Sequence, residues 1–248
     1  MFNGIVLKKQ MFGDSMPSLK QLIKTALIPV GKTLYVWGGG WNQDDSGAGE
    51  SSLSLGARCT WEIFFNLYGK EYDFEKTRLM RNMGLDCSGY IGWVLYNVFY
   101  GEQKRNGFVF KAKDTAFKLH EMNFGFYRPK EEITDFMAGD IMSGKSHVYM
   151  VLGSCSDGSV VILHSSPPGV QISGTYTPEG KVESMAVLIA ERCVEEHFPI
   201  WYNKFGFSPR SEIYLKDYNQ FRWSEELISD AEGYRQMNAD EIIKDIFK

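Results

Sequence analysis

Cys87 stands in the run Leu85-Asp86-Cys87-Ser88-Gly89-Tyr90, and Ile91, Val94, Leu95, Val98 and Phe99 follow it at helical spacing. A helix starting at this point buries one face and leaves the cysteine at its N-terminus. Unpaired N–H groups and the helix dipole favour the thiolate there, so the pKa of Cys87 is expected to fall toward neutrality, supplying the form that attacks a carbonyl carbon. Such a nucleophile needs a base. Two histidines, His147 and His164, lie downstream on candidate strands.

Ser156-Asp157-Gly158-Ser159 offers a two-residue Asp-Gly turn between those strands. Pairing Ser156 with Ser159 makes odd positions face even ones, which sets both histidines on one face of the sheet, diagonal to each other. A wider loop, ending at Gly153 and Val160, keeps that parity and brings the rings one step closer. His147 would then take the proton from Cys87 and return it to the leaving amine, and His164 would hold the other ring nitrogen. Backbone N–H groups at Cys87 and Ser88, with the Tyr35 hydroxyl, would stabilise the oxyanion.

The elements that must position these groups read as a helical half followed by a sheet. Helices are expected over 16–28, ended by Pro29, over 60–67, from Cys87 onward, and over 111–122. Short β-rich runs follow at Gly139–Met142, His147–Leu152, Val160–Ser165 and Met185–Ala190. This order predicts an α+β fold with a small antiparallel sheet. No repeat or linker divides the chain, so 1–248 reads as one domain, with an insert at 41–84 and a C-terminal extension at 195–248 that docks on the same body. Asn238 and Glu241 form a capping-box pattern ahead of an apolar stripe in that extension. His120 and His197 read as structural or solvated.

Composition narrows the function. A net charge of −4 gives no overall attraction to nucleic acid or anionic lipid. No apolar stretch reaches the roughly 20 residues of a membrane helix, and no secretory leader is read at the start. Ala26 to Thr33 resembles a nucleotide P-loop only superficially, because Ala26 replaces the first glycine and Pro29 interrupts the loop. Cys59, Cys87, Cys155 and Cys193 contain no C-x-x-C pair, so no zinc site and no metal cofactor are expected, with three packing cysteines beside one reactive thiol.

With these pieces in view, the chain resembles the NlpC-type family of bacterial cell-wall endopeptidases, which are papain-like cysteine peptidases. The resemblance is carried by Tyr35-Val36-Trp37-Gly38-Gly39, Leu85-Asp86-Cys87-Ser88-Gly89-Tyr90, Gly139-Asp140-Ile141 leading to His147-Val148-Tyr149-Met150, and Val161-Ile162-Leu163-His164-Ser165. It covers residues 34 to about 190, and the connection from Gly40 to Gly84 is longer than the family's. It implies a papain-like fold with Cys87 as nucleophile, His147 as base and His164 as third polar residue. Tyr35, Asp86 and Ser88 would bind the L-Ala and D-Glu end of the substrate, Asp86 by pairing with a free amine.

The resemblance further implies hydrolysis of peptidoglycan stem peptides or muropeptides at the γ-D-glutamyl bond to the diamino acid, without cofactor. It favours the cell wall or extracellular space, although an intracellular recycling enzyme fits the sequence too. Two other readings use the same scaffold: an N-acetylmuramoyl-L-alanine amidase or acyl transferase, and a non-catalytic module that binds wall fragments.

Overall fold

The computed structural model describes residues 16–99 and 106–248; the start of the chain, where no leader is read, lies outside the described residues. The first helix, α1 (Leu19–Leu27), is capped by the Ser18 hydroxyl and buries Leu19, Leu22, Ile23 and Ala26, the stripe its spacing predicts. In the 41–84 segment lie α2 (Cys59–Leu67) and a 3₁₀ turn at Phe74–Thr77. The central helix α3 (Cys87–Val98) and a short α4 (Thr115–Glu121) follow.

The strands are β1 (Gly125–Arg128), β2 (Ile141–Ser143), β3 (Val148–Ser154), β4 (Val160–Ser166), β5 (Gly169–Gly174) and β6 (Asn219–Trp223). They form one sheet in the order β1-β6-β2-β3-β4-β5, with every neighbouring pair antiparallel. The fold is therefore α+β. After β5 come α5 (Met185–His197), α6 (Pro199–Phe205), α7 (Ile213–Lys216) and, beyond β6, α8 (Ala239–Ile246).

Alternation along β3 and β4 sends their residues to two cores. Val148, Met150, Leu152, Val161 and Leu163 join α1 and α3 in the main core. Tyr149, Val151, Val160 and Ile162 form a smaller one with Met142 and Tyr218. The 195–248 segment supplies an interior strand: β6 lies between β1 and β2, and Arg222 on it pairs at 2.7 Å with Asp140, which is 1% exposed. Asp140 also accepts from the Met137 amide and from Gln220. The Gly-Asp pair before β2 is thus the anchor that holds β6.

Two expectations are corrected. Met185–Ala190 is the first half of helix α5, not a strand. Ser184 caps it through the Val187 amide, and Ala186, Val187, Ala190, Cys193 and Val194 are buried at helical spacing against β5. Its Val-Leu-Ile run has strand-like composition, but cap and period prevail. Cys59, expected to pack, is exposed at the start of α2. All four cysteines are free. The capping box at Asn238 and Glu241 forms as read, opening α8.

Candidate active site

Cys87 is the first residue of α3, and the reason is local. The Asp86 carboxylate accepts from the Gly89 amide at 2.7 Å and from the Ser88 hydroxyl at 3.0 Å, a side-chain cap that ends the extended approach and starts the helix. Backbone contacts then fix its position. The Asp86 amide donates to the Gly39 carbonyl, and Gly40, with φ of +92°, lies so near Gly89 that a Cβ on it would come within 2.6 Å of the Gly89 Cα. Only glycine permits this approach, so the aromatic-glycine run and the cysteine run form one unit.

On the other side, the Val148 amide, next in the chain after His147, is near enough to the Cys87 sulfur to favour its charged form. A cleft of about 270 Å³ opens over the sulfur, lined by Tyr35, Trp37, Trp41, Asp86, Ser88 and Lys111 among others. Cys87 itself is 8% exposed. A larger cavity of about 600 Å³, lined by Leu27, Phe65, Phe198 and Trp201 among others, holds neither nucleophile nor a sequence-predicted base. The smaller cleft is the one that holds Cys87.

The hairpin geometry decides where the histidines fall. The closing pair, Ser154 with Val160, taken alone would put them on opposite faces. A register shift between Val151 and Gly153 changes the offset, so that Val151 faces Ile162 and Met150 faces Leu163. That offset is the one expected of the wider loop. It restores the shared face, and the two rings meet edge-on with centroids 5.3 Å apart.

No hydrogen bond joins them. Nε2 of His164 bonds the Ser173 hydroxyl at 3.1 Å, and that hydroxyl donates to the Ser208 carbonyl. Ser173 must therefore accept from His164, which leaves His164 Nδ1 as a bare acceptor. That atom and Nε2 of His147 are both buried without a partner. The expected orienting bond is replaced by ring contact between two groups whose free valences remain available to each other.

Electrostatics correct a further expectation. Burial, then the neighbouring Asp86 carboxylate, push the Cys87 thiol up to about 12, outweighing the amides of Val148 and Ser88. Burial, then the Arg210 charge, lower His147 to about 3, and the same causes hold His164 well below its ordinary range. The site thus contains a thiol and two neutral imidazoles, not a thiolate. Burial raises Asp86 to about 6, against hydrogen bonds from Gly89 and Ser88.

The remaining predicted residues converge here. Tyr35 lines the cleft, its amide donating to the Pro168 carbonyl while its own carbonyl accepts from Tyr72 and its ring meets Phe74 edge-on. Burial lifts its phenol above the ordinary value. Ser88 accepts from the Trp41 indole at 3.0 Å. From the 41–84 segment, Trp41 and Asp45 line the cleft, while Tyr72 and Phe74 hold Tyr35 in place. His120 and His197 lie apart from the cleft; His197 stacks on Phe247.

Sequence reasoning missed Arg210, Tyr214 and Tyr218. Tyr214 and Tyr218 lie within electrostatic reach of Cys87, and both rings contact His147. Tyr149 donates to the Tyr214 carbonyl and so fixes this segment on the sheet. The only signal in the chain was the four-residue spacing of the two tyrosines. No family model, curated protein or solved structure matches the chain.

Proposed function

We propose that the chain is a papain-like cysteine peptidase that hydrolyses peptidoglycan stem peptides at the γ-D-glutamyl bond to the diamino acid. One observation carries the hydrolase reading: Cys87 is the first residue of α3 and lines a cleft, with the amide that follows His147 close enough to favour its charged sulfur. The substrate follows from the resemblance in the Tyr35, Cys87, His147 and His164 motifs. The wall or the space outside the cell is the matching place of action.

In this account the neutral His147 takes the thiol proton as sulfur bonds to the scissile carbonyl carbon. First-turn amides of α3 receive the oxyanion. Collapse expels the amine, protonated by His147, and leaves a thioester. Water, deprotonated by His147, attacks the thioester and releases the acid and the thiol. His164, with Nδ1 free to accept from His147, holds the tautomer in which the other His147 nitrogen is the base. Tyr35, Asp86 and Ser88 bind the amine-terminal end of the peptide.

The test is mass spectrometry of stem peptides and muropeptides incubated with wild type and Cys87→Ala. The expected product is L-Ala-D-Glu, formed only by wild type. Cleavage at the muramoyl–L-Ala bond would replace this reading with the amidase. Binding without cleavage would replace it with the wall-fragment module.

A further inference from the structure

A second cleft adjoins the one that holds Cys87. Its volume is about 670 Å³, and Trp41, Gln43, Leu79, Met80 and Arg81 are among the residues that line it. The whole of that lining falls within the 41–84 segment, so the connection that is longer than the family's builds this cleft by itself. The two clefts share a wall. Trp41 lines both, and Arg81 of the second pairs at 2.7 Å with Asp45 of the first.

The lining leaves no charge over for an ion. Its two charged groups are already paired, Arg81 with Asp45 and Glu50 with Arg58, each at 2.7 Å. What remains is neutral: the side-chain amides of Gln43 and Asn82, and the aliphatic chains of Leu79 and Met80, which stand exposed. Such a surface suits a ring with hydroxyl and acetamido groups at its rim and C–H bonds on its faces, because amides bond the former and apolar chains cover the latter.

Position names the ring. Ser88 binds the amine-terminal end of the stem peptide in the peptidase account, and the Trp41 indole donates to its hydroxyl at 3.0 Å. A group attached to that end reaches the second cleft by crossing Trp41. The Cys87 cleft, about 270 Å³, falls below the roughly 300–1,000 Å³ of pockets that enclose a ligand on their own. We propose that the second cleft is the subsite for the muramyl sugar amide-linked to the stem peptide, which makes glycan-bearing muropeptides the preferred substrate class. This rests on the peptidase reading and deepens it. The Asp86 carboxylate accepts from the N–H of that amide link as it would from a free amine.

Isothermal titration of Cys87→Ala tests the subsite without turnover. Three ligands share the peptide L-Ala-γ-D-Glu-diamino acid and carry N-acetylmuramoyl, acetyl or acetylglycyl on its amine. The muramyl form is expected to bind about tenfold more tightly than the acetyl form, the scale of burying one ring face. Gln43→Ala with Met80→Ala, both at exposed positions and added to Cys87→Ala, should remove that advantage and leave the affinity of the acetyl form unchanged.

Equal affinity for the muramyl and acetyl forms, or an advantage that survives the two added substitutions, overturns the subsite. Tighter binding of the acetylglycyl form than of the muramyl form overturns it in favour of a longer peptide, and no binding of any form overturns it as well. Cleavage by wild type separates the two claims. Equal affinities with γ-D-glutamyl cleavage leave the peptidase standing without the subsite, whereas a muramyl advantage without cleavage leaves the subsite and removes the peptidase.

Discussion

The Ser165 hydroxyl donates to the Leu85 carbonyl at 2.7 Å, tying the residue after His164 to the residue two before Cys87. This bond spans the two halves of the site, since β4 carries one residue and the entry to α3 the other. Ser165 is fully buried and so is Leu85. Ser165→Ala leaves a buried carbonyl without its partner, a cost of about 1–3 kcal/mol. Urea unfolding should show that loss, and activity should fall further than stability alone explains, because the distance from thiol to imidazole is no longer fixed.

Asp86 makes the protein's stability depend on pH. Burial raises its folded carboxyl to about 6, from an ordinary value near 4 in the unfolded chain. The folded state therefore binds this proton more tightly. The contribution is full below pH about 4 and is lost as pH rises through about 6, roughly 3 kcal/mol in all. Asp86→Asn keeps a helix cap without the charge. Unfolding curves of the two proteins should diverge across this window, wild type losing stability relative to the variant as pH rises; parallel curves would show that Asp86 is not the titrating group.

Gly89 packs against the Gly39 carbonyl, and any Cβ at this position would overlap that oxygen. Gly89→Ala must therefore push the aromatic-glycine run away from α3. The expected cost is about 1–3 kcal/mol, as for overpacking elsewhere. The Tyr35 side of the cleft should move with it, so KM should rise in the folded fraction. Thermal unfolding and substrate titration of the purified variant measure both, and an unchanged Tm would contradict the close contact.

Much of this site could be read from the chain because its signals are local. The Asp86 cap and the apolar stripe of α3 each depend on residues a few positions apart. What could not be read is non-local. The bulge between Val151 and Gly153 sets the offset, and neither residue announces it. Strand β6 pairs with β1 and β2 across separations running from Ser143–Asn219 to Gly125–Trp223, and with it come α7 and the aromatic cover of His147. Arg210 reaches the histidines only through that return. The Cys87 pKa was misjudged for the same reason: the helix terminus is visible in the sequence, while the burial that outweighs it is a property of the folded molecule.

The most direct test of the central claim is the intact mass of the protein quenched in acid during turnover of a γ-D-glutamyl stem peptide. The account predicts an added mass equal to the L-Ala-γ-D-Glu acyl group, mapped to Cys87 and absent from Cys87→Ser under the same quench. Product formation at the wild-type rate by Cys87→Ala, with no adduct on any residue, would contradict it.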